Sequence, residues 1–143
     1  MAEVSRDPAE GTLALTLTMS CEPALIGAAE AFVARMGEQA GCAADDARRL
    51  GQAVRRALGG LIGQPGPQPI PGQFEVAFLA TPRLARVDLW CACTAANGTA
   101  TTMHDRLAAG GDDEAMRRLV DRVEFGRQGE REYCRLTQQV RAR

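Results

Sequence analysis

The stretch that decides the fold runs Glu114-Ala115-Met116-Arg117-Arg118-Leu119-Val120-Asp121-Arg122-Val123-Glu124-Phe125, then Gly126-Arg127-Gln128-Gly129, then Glu132-Tyr133-Cys134-Arg135-Leu136-Thr137. It predicts a helix over about Asp112 to Asp121, a strand over Arg122 to Phe125 and a second strand over Arg131 to Val140. The glycine-bounded segment 126–129 supplies the turn that joins the strands.

Upstream, the pattern repeats. In Thr12 to Ser20, Leu13, Leu15, Leu17 and Met19 alternate with Thr16, Thr18 and Ser20, which predicts a half-buried strand. Leu25, Ala29, Phe32 and Met36 recur at helical spacing, so residues 23 to about 40 form an amphipathic helix ended by Gly41. A second helix spans about Ala44 to Gly63, with Ala47, Leu50, Val54, Ala57 and Leu61 as its buried stripe and Asp45 and Asp46 at its positive end. The pair Gly59-Gly60 costs this helix roughly 1 kcal/mol per glycine relative to alanine, which close packing or a fraying last turn would explain. Gln64 to Gly72 carries four prolines and reads as a stiff connector. Phe74, Val76 and Phe78, then Val87, Leu89 and Cys91, define a hairpin turning at Thr81-Pro82-Arg83. Thr94 to Gly111 has no period and reads as a loop of about eighteen residues, long enough to mark it as mobile or functional. Strands outnumber crossover helices. The expected fold is therefore α/β, an α+β two-layer sandwich: a mixed, mostly antiparallel sheet with about three helices on one face. A flexible segment 1–11 precedes one domain over 12–143, with no internal repeat.

Composition narrows the function. The 143 residues carry a net charge of −1, so no overall field favours DNA or an anionic membrane. All seventeen basic residues are Arg, which leaves no amine for Schiff-base chemistry or for cradling phosphate. No secretory signal is visible at the start, and no apolar run approaches the roughly 20 residues needed to span a bilayer, so a cytoplasmic protein is expected. The five cysteines are odd in number and point to buried free thiols rather than a disulfide framework. Cys91-x-Cys93 is too closely spaced for a zinc knuckle, and His104 is the one histidine.

The element order and the terminal helix-hairpin resemble the anti-sigma-factor serine kinases of the GHKL (histidine kinase-like) ATPase superfamily, over roughly residues 12 to 140. The resemblance implies a nucleotide pocket at three boxes, and this chain departs from each. Where the family's second helix carries a catalytic Glu and, four residues on, a Mg²⁺-binding Asn, this chain has Arg56 and Gly60. Neither can ligate a metal, and Arg cannot act as a base. Where the family's adenine-binding Asp and its two glycines stand, this chain has Cys93, Ala95 and Asn97. In the Gly-x-Gly that holds phosphates at a helix N-terminus, Gly110 is in place but Asp112 replaces the second glycine, and a carboxylate there repels phosphate. The resemblance thus implies a bacterial regulatory protein acting by protein–protein binding, with a degenerate ATP site and no cofactor. Its partner would be a sigma factor or an anti-sigma-factor antagonist, and a homodimer is compatible. The alternative is a divergent, active ATP-dependent serine/threonine kinase acting on such an antagonist with Mg²⁺.

Other residues bear bland readings beside sharper ones. His104-Asp105 could serve as a phosphoacceptor or base, but a lone loop histidine is more often solvated. Arg48, Arg49, Arg55 and Arg56 read as a solvated helix face, except that Arg56 would look into the old pocket and could hold an anion without metal. Trp90 is either an interface anchor or half-covered by a neighbour.

Overall fold

The computed structural model describes residues 3–7, 13–62, 73–92 and 103–140. The strands are β1 Glu3–Asp7, β2 Leu13–Ser20, β3 Gln73–Ala80, β4 Leu84–Ala92, β5 Arg122–Gln128 and β6 Arg131–Gln139. The helices are α1 Ile26–Gln39, entered through a single 3-10 turn at Pro23–Leu25, α2 Ala44–Ile62, α3 Met103–Ala109 and α4 Asp112–Leu119.

The strands form one sheet in the order β1-β2-β3-β4-β6-β5. Alternation sorts its two faces. Phe74, Val76 and Phe78 of β3, Val87, Leu89 and Cys91 of β4, and Cys134 and Leu136 of β6 are all buried on the face that meets the helices. From α2 the stripe Ala47, Leu50, Val54, Ala57 and Leu61 packs down on them, as its spacing predicts. Each fully buried Leu or Phe contributes about 2 kcal/mol of transfer free energy, so these pairs hold the layers together. The result is the expected two-layer α+β sandwich.

Every pairing among the described strands is antiparallel, where a mixed sheet was expected. The connections explain this. Two consecutive helices, α1 and α2, carry the chain out and back, so β3 starts beside the end of β2 and runs the other way. The helix pair α3–α4 leads to β5, but β6 turns back between β5 and β4 and keeps both neighbours antiparallel.

Four differences from the sequence expectations matter. Residues 3–7, placed within a flexible segment, pair antiparallel with β2 as an edge strand. The segment read as a loop over 94–111 contains α3, whose Met103 and Leu107 lie four apart and are both buried. In α1 the buried line is Ala29, Val33 and Gly37, with Phe32 and Met36 at its margin. Small residues win there because α1 and α2 approach so closely that a Cβ on Gly51 would stand 2.9 Å from the Glu30 carbonyl. Finally, β5 continues through Gly126 to Gln128, and the hairpin turns at Gly129, whose φ of 63° is in the left-handed region. The proline-rich connector lies outside the described residues. No described helix is long and apolar enough to cross a membrane.

Candidate functional site

The site is built on the last three turns of α2, from Gln52 onward. Because its buried stripe faces the sheet, Gln52, Arg55 and Arg56 project from the opposite flank and are exposed. Arg55 Nη1 reaches Glu30 Oε1 of α1 at 3.4 Å, and Arg56 Nε lies 3.8 Å from Asp112 Oδ1 of α4. Both contacts are long for charge-assisted hydrogen bonds. One turn further on, Gly60 is buried against the first turn of α4 and the middle of α3. A Cβ at Gly60 would collide with Asp112 Oδ2 and stand 2.7 Å from Leu107 Cδ2. At the adjacent Gly59, a Cβ would meet nothing within 4 Å. Close packing therefore accounts for Gly60, but not for Gly59.

Asp112 opens α4, with Gly111 at the cap position in a left-handed conformation (φ 78°). The helix N-terminus favours a carboxylate. Burial works against it: the residue is only 6% exposed, and Oδ2 has no hydrogen-bond partner. Burial pushes the Asp112 carboxyl above the usual range, opposed by the Arg56 guanidinium.

Above this contact lies an open cleft of about 730 Å³. Its lining mixes polar side chains, Gln52, Arg55, Arg56 and Asp112, with aliphatic ones, Pro23, Ile26 and Leu119, and includes Gly59 and Gly60. Of the positions proposed from sequence, Arg56 and Gly60 thus come together at one cleft. Gly110 does not line it; its N–H closes the end of α3 on the Arg106 carbonyl at 3.3 Å. Cys93, Ala95 and Asn97 lie outside the described residues. The sequence reading missed the packing role of Leu107, although Met103 and Leu107 at a spacing of four were the available signal.

A smaller cavity of about 250 Å³ lies at the junction of α3 and the β5–β6 hairpin, lined by Met103, His104, Phe125, Glu132 and Tyr133 among others. His104 is not a free loop side chain. Its ring stacks on Phe125 at 4.4 Å, and its Nε2 lies 3.4 Å from Asp113 Oδ2. Glu132, 4% exposed, accepts the Met103 N–H at 3.0 Å and so anchors the start of α3.

On the sheet face away from the helices, Asp88 is 5% exposed and accepts two hydrogen bonds from Arg135, at 2.9 and 3.2 Å. Beside them Trp90 packs on Tyr133, centroids 4.7 Å apart, and Arg131 lies over the Trp90 ring at 4.9 Å. Trp90 is therefore half-covered by its neighbours. Arg131 also bridges to Glu75 at 2.7 Å, and Arg122 to Glu124 at 2.9 Å.

Burial also raises the Cys134 thiol far above its ordinary value, which removes it as a nucleophile. Among the described residues, no three His, Cys, Asp or Glu side chains gather as metal ligands. No protein-family profile matches the chain. Nor does any curated protein match it.

Proposed function

We propose that this chain is a regulatory binding domain of the anti-sigma-factor type in which the nucleotide site has been given over to helix packing. The observation that carries the reading is the contact at Gly60. In the resemblance, that position carries the Mg²⁺ ligand. Here it has no side chain, and the space beside it is taken by Leu107 and by the Asp112 carboxylate. Magnesium requires oxygen ligands in near-octahedral array, and Arg56 repels the ion instead. A phosphate charge about 4 Å from the Asp112 carboxylate would cost on the order of 4 kcal/mol at an effective dielectric constant near 20. The packing, the charge and the missing ligands all oppose a magnesium–triphosphate.

Function then rests on binding. The resemblance points to a sigma factor or its antagonist as partner, with release by competition between partners rather than by phosphorylation. A fluorescent ATP analogue titrated with Mg²⁺ tests the first half; no saturable binding up to millimolar concentration is expected, and magnesium-dependent binding in the micromolar range would refute the reading. Pairwise titration against bacterial sigma factors and antagonist proteins tests the second half, and failure to bind any of them would remove the regulatory assignment.

A further inference from the structure

The cleft over α2 has a chemistry of its own. Its two arginines are poorly used within the chain: their ion pairs are 3.4 and 3.8 Å long, and their side chains are 68% and 59% exposed. A guanidinium offers five N–H donors, so most of those on Arg55 and Arg56 remain available. Gln52, one helical turn before Arg56, adds an amide to the lining. Pro23 and Ile26 from the 3-10 turn and α1, and Leu119 from α4, add aliphatic surface. A volume of about 730 Å³ greatly exceeds what a single inorganic anion fills. Asp112, which shares the lining and lies 3.8 Å from Arg56, opposes the several negative charges of a polyphosphate more than the single charge of a carboxylate. What matches is a chain segment that carries both carboxylate and aliphatic side chains.

We propose that the cleft between α2, the 3-10 turn and α4 docks an acidic peptide segment of a protein partner. Its carboxylate is held by Arg55 and Arg56, and a neighbouring aliphatic residue lies on Pro23, Ile26 and Leu119. The assignment rests on the reading of this chain as a protein-binding domain and names the surface that performs it. A guanidinium pairs with a carboxylate through two parallel N–H donors, which sets register as well as affinity. The aliphatic surface supplies contact area that discriminates a peptide from free acetate or phosphate.

The test is a ¹⁵N NMR titration of the whole chain, following the arginine Nε–H and backbone amide signals at constant ionic strength. The probe is the capped peptide acetyl-Leu-Glu-Leu-Glu-amide, compared with acetyl-Leu-Gln-Leu-Gln-amide, inorganic phosphate and MgATP. The expected result is saturable shifts at Arg55, Arg56, Gly59 and Gly60 with the glutamate peptide. Arg55→Gln and Arg56→Gln should each weaken it about tenfold, as loss of a charged hydrogen bond does. Arg48→Gln, which removes an exposed arginine of the same helix paired to Asp45 at 2.7 Å, should leave binding unchanged. The proposal is overturned if the glutamate peptide gives no shifts at low millimolar concentration, if the glutamine peptide binds equally well, or if phosphate gives the same shifts at the same concentration. MgATP shifting the Gly60 amide at micromolar concentration would refute the non-catalytic reading instead, and the peptide comparison would still decide the docking site separately.

Discussion

Replacing each of the two adjacent glycines of α2 by alanine should move stability in opposite directions. Both gain helix propensity, worth up to about 1 kcal/mol. At Gly59 nothing lies within 4 Å of the new methyl, so the gain is kept. Near a helix end it amounts to about 0.5 kcal/mol, or a rise of roughly 2 °C in Tm for a chain of this size. At Gly60 the methyl meets Asp112 Oδ2 and, at 2.7 Å, Leu107 Cδ2. Leu107 is fully buried and Asp112 nearly so, so neither can swing into solvent without exposing what it covers. Overpacking of this kind costs about 1–3 kcal/mol. With two buried neighbours the upper part of that range applies, and Gly60→Ala should lose about 1–2 kcal/mol net, or roughly 3–8 °C. Differential scanning calorimetry and urea denaturation read both variants. A second substitution identifies the cause: Asp112→Ala should cost less in the Gly60→Ala background than alone, with a coupling of at least about 0.5 kcal/mol. A Gly60→Ala protein as stable as the parent, or shifted in the same direction as Gly59→Ala, would refute the close approach of α3 and α4 to Gly60, and with it the observation on which the proposed function rests.

Three further outcomes follow from the same geometry. Burial raises the Asp112 pKa in the folded chain, so the group favours folding at low pH and that contribution disappears as pH rises through its folded value. Asp112→Asn should therefore be the more stable protein at pH 7, with the gap closing as pH falls through the carboxylate range; a pH-independent difference in Tm would contradict this. Arg135→Met leaves Asp88 buried with only the 3.5 Å contact to Arg86. It should cost about 3 kcal/mol in urea denaturation, much of it recovered by adding Asp88→Asn, because a buried charge left with one long contact rather than a lost attraction carries the penalty. The Tyr133 ring lies directly over Gly126, where a Cβ would collide with it. Gly126→Ala should lift the ring off Trp90, reduce the near-ultraviolet circular dichroism of the pair and destabilise by about 1–2 kcal/mol; an unchanged spectrum would count against the stacking.

Legibility differed between elements for a physical reason. β2, β3, β4 and α2 could be read in advance because their apolar periods run over several turns or pleats, and periodicity is a local property. The terminal helix and hairpin were legible for the same reason. Met103 and Leu107 make one apolar pair, too short a period to separate α3 from a loop. Asp88 alternates as an outward residue and is buried all the same, because Arg135, 47 positions away, folds over it. At the candidate site, the residue types of Arg56 and Gly60 were visible. Their consequence was not, since nothing near Gly60 in sequence says that Leu107 and Asp112 will occupy the space beside it.

The chain by itself therefore determined the longer periodic elements, the inward faces of β2, β3, β4 and α2, and that Arg56 and Gly60 supply neither a metal ligand nor a base. Only the tertiary structure decided the all-antiparallel strand order, the docking of α3 and α4 on Gly60, and the cleft that leaves Arg55 and Arg56 with unused donors. Periodicity is set by the geometry of the backbone over a few residues. Contacts between distant segments depend on how closely whole elements can approach, and a single missing Cβ sets that distance.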